Sequence, residues 1–130
     1  MKRSEMREQT FYLTFEMLFN GDDIDDLVEL YNDNVEEVCD YARESFAGIC
    51  LHKNEFTDII NKLSKSWKVS RLPKVTVAIL FVALYEIEYV DTVPDNVAIN
   101  EAIELAKKFA SKSDASYING ILGAYYRSKS

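Results

Sequence analysis

Apolar residues recur along this chain every three or four positions, with few of the alternating runs that a half-buried strand requires. Phe11, Phe15, Leu18 and Phe19 stand at i, i+4, i+7 and i+8, one face of a first helix expected to stop at Asn20-Gly21. Asn-Gly also opens hairpins, but no alternating strand flanks it. Asp22 or Asp23 then caps a short acidic helix through Tyr31, since a carboxylate accepts from the free N–H groups of a first turn. Asn34 is expected to cap a third helix with Val35, Val38, Cys39, Ala42, Phe46 and Ile49 buried. After Asn54, Phe56, Ile59, Ile60, Leu63 and Trp67 repeat the spacing and predict a fourth.

The stretch from Val75 to Tyr89 is apolar nearly all round, the mark of a helix surrounded by others. Pro73 suits its first turn, where a missing N–H costs nothing. Val75, Val77, Ile79 and Phe81 also alternate as in a strand, whereas Ala78, Leu80, Ala83, Leu84 and Glu86 favour the helix. Pro94-Asp95-Asn96 restarts the chain into a helix with Ile99, Ala102, Ile103 and Ala106 inward, and a last helix runs from Asp114 to about Arg127. The pattern predicts an all-α protein of about seven helices in one domain covering residues 1–130.

Composition agrees with that class. Four Gly and two Pro are too few to punctuate an all-β chain. Cys39 and Cys50, with the lone His52, do not form a zinc-ligand pattern, so both cysteines read as reduced core residues and no metal or cofactor is expected. The N-terminus lacks the apolar stretch of a secretory signal, and the run Val77 to Tyr85 is too short to cross a membrane; the expectation is a cytoplasmic protein with no membrane partner. The net charge of −7 is uneven. Residues 22–44 hold ten acids and one base, a local −9, while twelve acids and fourteen bases elsewhere leave +2. An anion-binding surface is therefore expected away from residues 22–44.

Phosphate-binding glycine loops, nucleophile elbows and metalloprotease motifs do not occur. The acidic run "DDIDDLVEL" lacks the glycine and the closing Glu of a calcium loop. No enzyme activity is expected. The binding candidates lie at the end of the sixth predicted helix, where Lys107, Lys108 and Phe109 precede Ser111, Lys112 and Tyr117. Single-stranded RNA binding uses rings for the bases and cations for the phosphates. The same lysines also complement a helix C-terminus, and Phe15 also fits a core stripe.

"VPDNVAINEAIELAKKF", followed by "YINGIL", resembles the signature of the NusB family of bacterial transcription antitermination factors. "REQTFYLTFEMLF" is similar to that family's opening helix and "WKVSRLPKVTVAILFVALYEI" to its central helix, so the resemblance covers essentially the whole chain. It implies two small helical bundles packed at an angle. It also implies binding to the boxA segment of nascent ribosomal RNA transcripts together with the ribosomal protein NusE, within the transcription elongation complex. Relatives occur as monomers and dimers, which adds a homodimer to the partners implied. Carried over by position, the basic arm becomes Lys2, Arg3 and Arg7; Phe15, Phe109 and Tyr117 become the aromatic contacts; Lys107 and Arg71 become cationic ones. Thr76 and Leu80 fall on the central helix, on the face that would meet NusE.

Several positions depart from the family pattern. Ser113-Asp114 stands where an acid followed by Ser is usual, Ser116 and Asn96 where Lys is common, and Thr76-Val77 where an acid-base pair is frequent. These changes predict weak RNA binding by the chain alone and stronger binding in a complex. The rival readings are a NusB-like protein-interaction or self-associating module with little RNA affinity, and an accessory domain of an RNA methyltransferase.

Overall fold

The computed structural model describes residues 1–21 and 23–129. They form six α-helices and no strand: α1 (Arg3–Asn20), α2 (Ile24–Asn34), α3 (Asp40–Leu63), α4 (Lys74–Tyr89), α5 (Asp95–Phe109) and α6 (Lys112–Lys129). A single 3₁₀ turn, Val69–Arg71, joins α3 to α4. The expected count of seven is corrected to six because the third and fourth predicted helices are one. Ala42, Phe46, Ile49, Phe56 and Ile60 are all buried on α3. Their three-to-four spacing runs straight through the exposed Asn54, whose helix cost is a few tenths of a kcal/mol, about 0.7 at most.

Two further expectations change at this junction. Asn34 ends α2 rather than opening a helix, and Val35 is exposed. Asp23 caps α2, accepting from the Asp26 N–H at 3.1 Å, while Asp22 lies outside the described residues. The connector to α3 is held by Gln9, buried on α1: its amide donates to the Glu36 carboxylate at 2.7 Å and its carbonyl accepts from the Cys39 N–H. Gly21 closes α1 with φ +87°, a conformation that side chains disfavour, and its N–H bonds the Met17 carbonyl. The predicted stop at Asn20-Gly21 is therefore observed.

The helices form two groups, α1–α2–α3 and α4–α5–α6, with α4 packed against both α1 and α3. Every residue of α4 from Thr76 to Ile87 is buried. That burial selects the helical reading of the stretch over the strand. At 1.5 Å per residue, the 16 residues of α4 form a spine roughly 24 Å long, and its first turn borders one of the two clefts described next. No described helix is long and apolar enough to cross a membrane.

Candidate nucleic-acid interface

The basic arm divides on folding. Lys2 and Arg3 are exposed, but Arg7 is only 3 % accessible. Its guanidinium forms two parallel bonds to Glu86 on α4, Nε to Oε1 at 2.7 Å and Nη2 to Oε2 at 2.9 Å. Nη1 also lies 3.4 Å from the Glu101 carboxylate on α5. Burial opposes the arginine's charge, yet the hydrogen bond and charge of Glu86, with Glu101 behind it, outweigh burial and raise its pKa. The Tyr41 hydroxyl donates to Glu86 Oε2 at 2.8 Å; burial first, then the Glu86 charge, pushes this phenol up to about 12. Arg7 is thus a strut between the helix groups, its guanidinium buried and occupied by Glu86 and Glu101. Arg3 lies 4.3 Å above the Tyr41 ring, beside α3, apart from the α5 lysines.

The end of α5 is brought onto α1. Phe109 stacks on Phe11, with centroids 5.0 Å apart, and meets Tyr12 edge-on at 5.4 Å. Lys108 pairs with Glu8 at 2.9 Å, and Lys107 lies 3.5 Å from Glu104. The hydrogen bond to Glu8 raises the Lys108 pKa. A cleft of about 380 Å³ between the two helices is lined by Ser4, Arg7, Glu8, Glu101, Lys107 and Lys108 among others. Phe109 is therefore half core and half surface, and so is Phe15, which stacks on Phe11 at 5.9 Å and meets the exposed Phe19 edge-on. Tyr12, which the stripe left out of the site, is the exposed ring at this corner. The acidic segment is nearer than its charge suggested: Tyr31 of α2 lies 6.3 Å from Tyr12.

A second cleft, about 260 Å³, opens between α4 and α6. Tyr117 reaches it and shares a 2.6 Å hydrogen bond with Ser64. Arg71 lines it, exposed and without an ion pair among the described residues. Lys112 is exposed at the start of α6. Ser111 is committed to the backbone: its oxygen accepts from the Asp114 N–H and its hydroxyl donates to the Asp114 carboxylate. This reciprocal cap starts α6 at Lys112, two residues before the predicted Asp114. Thr76 and Leu80, expected to face a protein partner, are 1 % and 0 % accessible. A helix buried all round offers neither as a surface for a protein to dock on, although Thr76 borders the cleft. Lys74, exposed two residues before Thr76, lies with its ammonium 5.3 Å from the Phe19 ring centre.

The comparisons with known proteins match this architecture. The model of the NusB family matches residues 4–127. The Agathobacter rectalis protein named transcription antitermination protein NusB is 35 % identical over 130 residues, covering 96 % of this chain and 99 % of that protein. Its Natranaerobius thermophilus namesake is 38 % identical over 128 residues, covering 94 % and 92 %. Among solved structures, T. maritima NusB superposes with a TM-score of 0.83 at 28 % identity, covering 95 % of this chain and 89 % of that one. NusB solved with NusE and double-stranded RNA gives 0.81 at 22 % identity, covering 97 % and 96 %, a likeness of fold. With helices, signature and near-complete coverage in agreement, this chain belongs to the NusB family.

Proposed function

We propose that this chain is a cytoplasmic transcription antitermination factor that holds a boxA-type single-stranded RNA, together with NusE in the elongation complex, and catalyses no reaction. The observation that carries the reading is the α1–α5 corner, where Lys107, Lys108 and the half-buried Phe109 ring meet the exposed Tyr12. Rings accept bases and lysines accept phosphates at such a corner. Lys2, Lys112, Arg71 and Tyr117 extend it, whereas Arg7 acts from beneath as a strut. The residues act as one domain over 1–130, with NusE engaging exposed side chains such as Phe19 and Lys74 rather than Thr76 or Leu80.

The test is fluorescence anisotropy of a labelled boxA-like RNA and a scrambled control, with and without NusE, over a range of salt. Three phosphate contacts give a slope of log K against log salt of about −2 for a single strand. Phe109→Ala, corrected for the folded fraction, weakens binding by about 1–3 kcal/mol if the ring stacks on a base. Equal binding to both RNAs with or without NusE refutes sequence-selective antitermination, and salt-independent binding refutes the lysine contacts.

A further inference from the structure

The hydroxyl of Thr76 is the one fully buried side-chain polar atom among the described residues that has no hydrogen-bond partner. Such an atom costs stability unless something satisfies it, and Thr76 lines the α4–α6 cleft. Around it stand Trp67, 53 % accessible, Arg71 without an ion pair, Tyr117, and Asp114. One Asp114 carboxylate oxygen is taken by Ser111 and the other has no partner among the described residues. Thr76 is also in the first turn of α4, where backbone N–H groups lack helical acceptors.

We infer that this cleft takes a single unpaired guanine base, reading one nucleotide of the strand held by the α1–α5 corner; the inference rests on the RNA-binding reading above. A carboxylate argues against a phosphate as occupant and for the edge of a base. Guanine presents two donors, N1–H and N2–H, to the free oxygen of Asp114, and two acceptors, O6 and N7, to Arg71 and the Thr76 hydroxyl; arginine to O6 and N7 is the commonest specific base contact. Adenine offers a lone pair at N1 and would face the carboxylate unfavourably. Trp67 and Tyr117 supply ring surface of the kind on which splayed bases stack. About 260 Å³ lies below the roughly 300–1,000 Å³ of drug-sized sites, room for a base with its sugar and phosphate outside.

Trp67 is the only tryptophan, so its fluorescence excited at 295 nm reports the cleft. The experiment titrates the whole protein with GMP, AMP, CMP and UMP, and separately with the boxA-like RNA. Saturable quenching by GMP at concentrations about tenfold below those for AMP is expected. Thr76→Val should weaken GMP binding about three- to tenfold, the worth of one hydrogen bond, while raising the melting temperature because the orphan hydroxyl is gone. Asp114→Asn should also weaken GMP binding, although removing an acid strengthens non-specific binding of any anion. Linear quenching, equal quenching by all four nucleotides, or unchanged GMP affinity in both variants overturns the base pocket; boxA RNA binding in the same preparation then leaves the RNA-binding reading standing. Saturable GMP quenching with no RNA binding supports the pocket and overturns that reading instead.

Discussion

Replacing Arg7 by alanine separates a strut from an RNA contact. Arg7 and Glu86 are 3 % and 2 % accessible and joined by two short hydrogen bonds. Removing the guanidinium leaves the Glu86 charge buried with Tyr41 as its one remaining partner among the described residues. Breaking a buried pair from one side costs about 3–5 kcal/mol, a fifth or more of the roughly 5–15 kcal/mol that holds most domains together. At about 4 °C per kcal/mol for a chain of this size, the melting temperature should fall by about 12–20 °C. Arg7→Lys should fall between wild type and alanine, because an ammonium cannot reproduce the two-pronged contact. The double variant Arg7→Met with Glu86→Leu should recover most of the loss, since apolar replacement of both partners is often neutral. Urea denaturation of wild type, the single variants Arg7→Met and Glu86→Leu, and the double variant gives the coupling energy directly. Binding of a boxA-like RNA by the folded fraction should keep its salt slope. A melting temperature within 2 °C of wild type, with the slope shallower by about 0.7, the share of one phosphate, would refute the strut and return Arg7 to the arm.

Two further outcomes follow from packing and titration. Tyr31 and Tyr41 are both raised to about 12, by burial first and by nearby acids after it. A phenol whose folded pKa exceeds its unfolded value near 10 contributes stability that is complete below pH 10 and lost as pH rises towards 12. Tyrosinate absorbance at 295 nm should therefore show some of the eight tyrosines titrating late in the native protein, and Tyr41→Phe should flatten the alkaline fall in stability; titration of all eight near 10 contradicts the burial. Gly48 of α3 faces the Tyr85 ring so closely that an added Cβ would overlap it. Gly48→Ala should cost a net ~1–2 kcal/mol, overpacking exceeding the helix gain, and a denaturant cycle with Tyr85→Leu should show coupling; additive effects would contradict the contact.

What the sequence makes legible is local. The spacing of apolar residues and the Asn-Gly stop are properties of neighbours, and they predict the helices and the end of α1. Asn54 looked like a break because polar residues cap helices, yet the buried stripe of α3 passes through it. The connector after Asn34 depends on Gln9, about thirty residues away in the chain. Arg7 finds its partner 79 residues on, so a cation near the N-terminus looks the same in sequence whether it is a strut or an arm. The central helix held a usable clue: a segment apolar all round has no outer face, and that pattern already argued against Thr76 and Leu80 as partner contacts. Trp67 was read as a core residue from its spacing, but α3 ends at Leu63, and beyond a helix end the three-to-four rule no longer assigns a face.

If the chain holds RNA as proposed, its layout of charge makes it do so weakly alone. Lys108 already has Glu8, Lys107 has Glu104, and the acidic helix α2 borders the aromatic corner through Tyr31. A phosphate entering there exchanges one ion pair for another. Exposed pairs are worth only about 0–1 kcal/mol, so the exchange costs little, but it also gains little Coulomb energy. On the proposed reading, what remains is contact: rings against bases at Tyr12 and Phe109, and hydrogen bonds to base edges in the cleft that Trp67 lines. Such contacts act only when the strand is seated in register, whereas long-range attraction binds any polyanion. A −9 segment beside the site therefore lowers affinity for every nucleic acid alike, and the ratio between the right RNA and the wrong one is set by the rings and the cleft. On that reading, supplying the missing attraction is the physical role left to the proposed protein partner.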